Sequence, residues 1–140
     1  MRKVILDTNI ILDVILIRKP FYNDASKILL AIDNKQIRAF ITANSVTDIY
    51  YILRKSIGKE NARIKLKNIL NVIGILDTDS VIIFDALYSG WDDFEDAVQG
   101  YSALYNDIDC IITRNLQDYK HIENIEIASA NEFANNYLQT

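Results

Sequence analysis

Histidine, cysteine, proline and glycine are all scarce in this chain: its 140 residues include one His, one Cys, one Pro and four Gly. A lone cysteine, Cys110, excludes a disulfide framework. One histidine, His121, leaves too few nitrogen and sulfur ligands for a zinc centre. The same shortage excludes a Ser-His or Cys-His nucleophile pair, except one built on His121 itself. Glycine and proline are too few for a collagen-like, low-complexity or disordered chain. No uncharged apolar stretch approaches the ~18 residues of a membrane span. Met1 to Ile17 has the outline of a signal peptide, but Asp7 and Asp13 interrupt its apolar run. The expectation is a soluble, cytoplasmic protein whose chemistry, if any, rests on carboxylates and oxygen ligands.

What is present is an ordinary globule, 50% hydrophobic and 24% charged. Its length suits one domain over residues 1–140, burying roughly 68% of the unfolded surface. The net charge of −4 hides an asymmetry. Residues 1–76 carry 13 Lys and Arg against 6 Asp and Glu, a balance of +7. Residues 77–140 carry 2 against 13, a balance of −11. One reading is a cationic surface for a polyanion beside a carboxylate-rich pocket. The other is two solvated faces that attract each other within the fold or across a dimer.

Short β-branched runs alternate with helical periodicities along the chain. Lys3–Leu6 reads as a buried strand ending at Asp7, followed by a helix over 9–17 that Thr8 is able to cap. Asn23 or Asp24 caps a second helix with Ile28, Leu29 and Ile32 inward, and Ile37–Ile41 is the next strand. Asn44 or Ser45 caps a helix carrying Val46, Ile49, Leu53 and Ile57 on one face, stopped by Gly58. Lys59 to Ile73 forms another helix, with Ile64, Ile69, Leu70 and Ile73 inward and Gly74 at its end. Ile75-Leu76, Cys110–Ile112 and Ile125–Ile127 read as strands. Between them lie helices over Ser80–Ser89 and from Asp93 to Tyr105, and Ser129 caps a last helix over 130–138. This order predicts an α/β fold with a parallel sheet and right-handed crossovers.

In open parallel sheets a ligand site lies beyond the carboxyl ends of the strands, where the strand order reverses. Asp7 follows the first strand directly, as a site residue or a plain helix cap. Asp48 falls in the first turn of the predicted 45–57 helix but off its apolar stripe, so it either serves the site or favours the helix dipole. Asp93 and Asp96 share a helix face. Gly100 continues that face, leaving space above Asp96 for a ligand or a close backbone, while Glu95 points elsewhere into solvent. Asn115 and Asp118 follow the fourth strand, where Thr113 ends the ladder with a hydroxyl. Several converging carboxylates repel one another unless a cation or raised pKa values relieve them. Oxygen ligands without His or Cys suit Mg²⁺ or Mn²⁺, and two such ions lie ~3.5–4 Å apart in a phosphodiester hydrolase.

Val4-Ile5-Leu6-Asp7-Thr8-Asn9, the capped helix bearing Asp48, Asp93-Phe94-Glu95-Asp96-Ala97 and Ile112-Thr113-Arg114-Asn115 follow one another in an order that resembles a PIN domain. The chain is similar, over essentially its whole length, to the toxin ribonucleases of VapBC-type toxin–antitoxin pairs. The resemblance implies a three-layer α/β/α sandwich with a five-stranded parallel sheet. It also implies a metal-dependent endoribonuclease acting on single-stranded RNA and leaving 5′-phosphate and 3′-hydroxyl ends. Asp7 matches the family's first acid and Asp96 its third, both as direct ligands of Mg²⁺ or Mn²⁺. Asp48 stands where the family usually has Glu, as a ligand directly or through water. Asn115 stands where many members carry a fourth Asp. Asp93 joins the metal set, and Thr8, Asn9, Thr113 and Asp118 support it. Family membership further implies a homodimer and inhibition by a small antitoxin.

The substrate surface expected from the residues is the basic segment 54–67, with Arg54, Lys55, Lys59 and Arg63 as phosphate contacts. Its alternative is a solvated face in which Arg54 and Lys55 suit a helix C-terminus. Tyr50 and Tyr51 offer rings to RNA bases, or to a core or dimer contact. Trp91 is expected to pack at a helix end, and His121 is given no role. A receiver-type phosphorylation switch fits poorly, because Asp7 lacks an acidic neighbour and Ala128-Ser129 follows the last strand in place of Lys. A D-x-D phosphatase fails on Asn9. A PIN fold that binds RNA without cutting it is the closer alternative, given Asp48 and Asn115.

Overall fold

A computed structural model describes residues 1–138. Its core is a five-stranded sheet in the order β3-β2-β1-β4-β5. The strands are β1 (Arg2–Leu6), β2 (Ile37–Thr42), β3 (Gly74–Leu76), β4 (Cys110–Ile112) and β5 (Glu126–Ala128). Every neighbouring pair is parallel, with Ile5 opposite Phe40 on one side and Ile111 on the other. The helices are α1 (Thr8–Ile15), α2 (Tyr22–Asp33), α3 (Ala43–Ile57), α4 (Lys59–Leu70), α5 (Ser80–Tyr88), α6 (Phe94–Tyr105) and α7 (Ala130–Tyr137).

Side chains alternate across a strand, so each strand of this sheet feeds two cores. Val4, Leu6, Ala39, Ile41, Cys110 and Ile112 meet α1, α2, α3, α4 and α7 on one face. Ile5 and Ile111 meet α6 and Tyr119 on the other. Ile5, Ile11, Ile28 and Ile49 have no accessible surface, and burying each such side chain contributes about 1.5–3 kcal/mol. The chain runs from β1 outward through β2 to β3, then returns across β1 to β4. The reversal lies between β1 and β4, where Asp7 N–H donates to the Ile112 carbonyl at 3.0 Å.

Several local expectations are corrected. Asp7, not Thr8, caps α1: its Oδ1 accepts from the Thr8 N–H at 2.8 Å. Neither Asn23 nor Asp24 caps α2, which begins after Phe21 without a side-chain cap. Neither Asn44 nor Ser45 caps α3; its cap is Thr42, whose hydroxyl pairs instead with Ser45 Oγ at 2.9 Å. Because α3 starts at Ala43, Asp48 lies in its second turn, beyond the reach of the helix dipole. Ile64 is 54% exposed, and α4 ends at Leu70, with Ile73 buried beyond it. Gly74 opens β3, against the Phe40 ring, and does not cap α4. The last strand is shifted by one residue to Glu126–Ala128, and α7 ends at Tyr137. Residues 139 and 140 of the expected domain lie outside the described residues. Gly58 ends α3 as expected, with φ 86. Ser129 closes a reciprocal capping box with Glu132 at the start of α7.

Candidate metal site and nucleic-acid interface

The topological reversal gathers acids from distant parts of the chain. Asp7 leaves the end of β1 with both carboxylate oxygens held. Oδ1 takes the Thr8 N–H, and Oδ2 takes the hydroxyl of Thr113 at 2.7 Å. Thr113 is fully buried at the end of β4, and its hydroxyl also accepts from the Asn115 N–H at 3.0 Å. One hydroxyl therefore couples the two strand ends and fixes the rotamer of Asp7. Asp93 caps α6 by accepting from the Asp96 N–H at 3.0 Å. That bond sets the first turn of α6, which carries Asp96.

Asp96 is half-buried, and its carboxyl is pushed up from 3.8 to about 7. Burial is the largest cause; the negative charges of Asp93, Asp118 and Asp7 add to it, and a hydrogen bond from Tyr119 works against it. Tyr119 Oη donates to Asp96 Oδ1 at 3.3 Å and accepts from Gln99 Nε2 at 2.6 Å. Glu95 is exposed to solvent as expected, yet it lies within electrostatic reach of the site. Its carboxyl is raised chiefly by Asp48, then by partial burial, Asp93 and Asp7. The structure thus brings Asp7, Asp48, Asp93, Glu95, Asp96 and Asp118 into one negative field. Gln99 and Tyr119 were missed by sequence reading. The available signal was a polar residue on the inner face of α6, since Gln99 is only 4% exposed.

Other expected residues fall differently. Asn9 accepts from Arg18 Nη1 at 3.4 Å and so braces a second, buried charge cluster. There Asp13, 1% exposed, meets Arg114 Nε at 3.3 Å and Arg18 Nη1 at 3.9 Å. Burial raises the Asp13 carboxyl, and the two guanidiniums partly offset it. The Arg114 guanidinium also lies 4.0 Å from the centre of the Phe21 ring. Asn115 is exposed and linked to the site through its backbone. The space expected above Asp96 at Gly100 is filled. A Cβ there would lie 2.6 Å from the Trp91 ring, which packs against the middle of α6 and not at its end.

Arg54, Lys55, Lys59 and Arg63 are exposed along the α3–α4 hairpin. Among the described residues none of them is paired with an acid. Arg63 lies 5.6 Å from the Tyr50 ring, and Tyr51 is 60% exposed. Val46, Leu66 and Leu70 floor the groove between the two helices, with Tyr50, Tyr51 and Arg63 on its walls.

The sequence profile of the PIN domain matches residues 3–117. The chain belongs to the PIN-domain family. No curated protein sequence is significantly similar to this PIN domain, whereas solved structures match its fold. One is VapBC2 from Rickettsia felis bound to a promoter DNA fragment, with TM-score 0.67 and 20% identity, covering 89% of this chain and 96% of that one. Another is DNA-bound VapBC from Salmonella typhimurium, with TM-score 0.68 and 19% identity, covering 93% and 99%. A third is VapC20 of Mycobacterium tuberculosis, a sarcin-ricin loop cleaving toxin, with TM-score 0.68 and 11% identity, covering 87% and 98%. The expected three-layer architecture with a five-stranded parallel sheet is therefore the fold of this PIN domain.

The donor set is made of carboxylates, suited to a hard divalent cation. Among the described residues no three His, Cys, Asp or Glu side chains are disposed to hold one ion together. The arrangement fits a Mg²⁺-like ion that keeps most of its waters and is gripped by one or two carboxylates. It does not fit a fully protein-ligated cage. No helix among the described residues is long and apolar enough to cross a membrane.

Proposed function

We infer that this PIN domain is a divalent-metal-dependent endoribonuclease of single-stranded RNA, acting as the toxin of a toxin–antitoxin pair. The observation that carries this reading is the gathering of acids from β1, α6 and the turn after β4, where burial first and then the charges of Asp93, Asp118 and Asp7 raise the Asp96 carboxyl to about 7, while Asp48 on α3 raises Glu95. Such mutual repulsion is relieved by a cation. Family membership supports the nuclease chemistry. The VapBC complexes and the rRNA-loop-cleaving toxin among the structural neighbours support the toxin role and a small antitoxin partner. The exposed Val81, Phe84, Leu87 and Tyr88 on α5 form an apolar face of the kind that associates with another protein. A homodimer in the cytoplasm is the setting this reading expects.

In this reading Asp7 and Asp96 would hold Mg²⁺ or Mn²⁺, with Asp48, Asp93 and Asn115 reaching it through water. The bound ion supplies Lewis-acid stabilisation of charge developing on the phosphoryl oxygens. Thr113 and Thr8 hold Asp7 in one orientation, and Tyr119, itself held by Gln99, orients Asp96. Near neutral pH the Asp96 carboxyl retains a proton in part of the population and releases it when positive charge arrives. Without a cation the acids repel the phosphate backbone, so RNA reaches them only with the ion. Arg54, Lys55, Lys59 and Arg63 then serve as phosphate contacts remote from the acids.

The test is cleavage of a single-stranded RNA pool in Mg²⁺ or Mn²⁺. Wild type is expected to cut, EDTA to stop it, and Asp7→Asn to reduce the rate by at least about 100-fold. Undiminished cleavage by Asp7→Asn would sink the assignment. A second reading, an RNA-binding PIN domain without catalysis, is favoured by the lack of a three-carboxylate cluster among the described residues. It predicts metal-dependent RNA binding with no cleavage by wild type.

A further inference from the structure

The charge cluster around Asp13 is built from the same two segments as the acidic site. Asp13 stands in the last turn of α1, the helix that Asp7 caps. Arg114 follows Thr113 directly, in the turn after β4. Thr113 donates to Asp7 at 2.7 Å, and Arg114 Nε meets Asp13 Oδ2 at 3.3 Å. The turn after β4 is thus tied to the β1–α1 segment at two points. One hydrogen bond between two segments is a pivot, and a second tie further along removes the rotation about it. Arg18 completes the brace. Its backbone N–H donates to the Asp13 carbonyl at 3.0 Å, and its Nη1 lies 3.4 Å from Asn9 Oδ1 and 3.9 Å from Asp13 Oδ1. One guanidinium therefore spans α1 from its first turn to its last.

Stability does not account for such a pair. Both Asp13 oxygens are buried without a hydrogen-bond partner, and so is Arg114 Nε. A buried ion pair in that state does no better for stability than apolar side chains of similar volume. What it provides is direction. The planar Arg114 guanidinium meets the Asp13 carboxylate while lying over the Phe21 ring, 4.0 Å from its centre, a combination that neither an ammonium nor a hydrocarbon reproduces. The Asp13 oxygens are also closed to solvent, so no ligand reaches them, and the cluster acts only through what it holds. What it holds is the turn that carries Thr113, Asn115 and Asp118.

We propose that Asp13 and Arg114 are positioning residues of the acidic site. Their pair locks the turn after β4 against the helix capped by Asp7, and so fixes Asp7, Asn115 and Asp118 relative to one another for a divalent cation. The cation in this statement rests on the nuclease reading of the acids; the locking of the turn does not.

Two variants test it, and neither alters the net charge, so an effect on the site does not come from a changed field. Asp13→Leu/Arg114→Met removes one charge of each sign, and Arg114→Lys keeps the cation but loses the fork. The whole chain, isotope-labelled, is compared by circular dichroism, urea denaturation, amide hydrogen exchange in EDTA and Mn²⁺ binding followed by the resonance of the free ion. The double variant is expected to keep the wild-type circular dichroism and most of its stability. The amides of Asn115, bonded to Thr113 Oγ1, and of Asp118, bonded to the Asn115 carbonyl at 3.1 Å, report the turn. Their exchange is expected to speed up at least about tenfold, while that of β2 does not change. Mn²⁺ affinity is expected to fall about 10- to 100-fold, as it does when an outer partner of a metal ligand is lost. Arg114→Lys is expected to lose several-fold. Unchanged exchange at Asn115 and Asp118 in a folded double variant would overturn the proposal, as would faster exchange with wild-type Mn²⁺ affinity. If the double variant loses its circular dichroism, Arg114→Lys decides by the same two measurements. A wild type that binds no Mn²⁺ sinks the nuclease reading, and the locked turn then stands or falls by the exchange alone.

Discussion

In metal-free buffer, the substitution Asp96→Asn is expected to stabilise the protein at pH 8 and to leave it nearly unchanged at pH 4. A carboxyl moved from 3.8 in the unfolded chain to about 7 in the fold takes a penalty on its charged form. At 1.36 kcal/mol for each pH unit, that is on the order of 4 kcal/mol. Part of the Asp96 side chain meets solvent, so screening lowers the expected figure to about 2 kcal/mol. The sign follows from proton linkage. Between pH 4 and 7 the folded state holds a proton that the unfolded state has released, so stability falls as pH rises. Below 3.8 the penalty is absent, and above about 7 it is complete. The substituted amide is neutral throughout and can still accept from Tyr119. Urea denaturation of both proteins in EDTA at pH 4, 6 and 8 gives the difference, in which the other carboxylates largely cancel. Glu95, raised in the same direction, is common to both proteins. Added Mg²⁺ is expected to restore the wild type at pH 8 and to help the variant less. A difference that ignores pH, or one favouring the wild type as pH rises, would refute the reasoning.

Arg114→Met leaves Asp13 buried without its nearest guanidinium and is expected to cost about 3–5 kcal/mol in urea denaturation. The double variant Asp13→Leu/Arg114→Met is expected to recover most of that; a double variant no better than the single would show that the pair does more than balance charge. Gly100→Ala sets a methyl 2.6 Å from the indole and is expected to destabilise by about 1–3 kcal/mol and shift Trp91 emission. An unchanged spectrum and unchanged stability would mean that the ring is not seated there. Lys59→Gln and Arg63→Gln are each expected to reduce the slope of log affinity for single-stranded RNA against log salt by about 0.7. A slope that does not move would remove the α3–α4 hairpin from the substrate surface.

The elements were legible because their signals are local. Three- and four-residue spacing placed Ile49 and Leu53 inward on α3, and Lys3–Leu6 ended at an acid as a buried strand does. Where the local signals failed, a tertiary contact outweighed propensity. Thr42 caps α3 although Asn44 and Ser45 are the better-suited types, because its hydroxyl pairs with Ser45 at the end of a buried strand. Ile64 has the inward period of α4 but stands on a face with nothing to cover it.

The candidate site divides in the same way. Residue types and their order were enough to single out Asp7, Asp48, Asp93 and Asp96, since the scarcity of His and Cys left carboxylates as the only ligands. Only the packed molecule decided that Glu95 feels the charge of Asp48, that Trp91 takes the space at Gly100, and that Gln99 and Tyr119 orient Asp96. The hydroxyl joining Thr113 to Asp7 spans 106 positions of chain. Spacing along a sequence constrains neighbours within a turn or a strand; which distant groups share a charge field depends on how the sheet reverses its order and what the buried side chains leave room for.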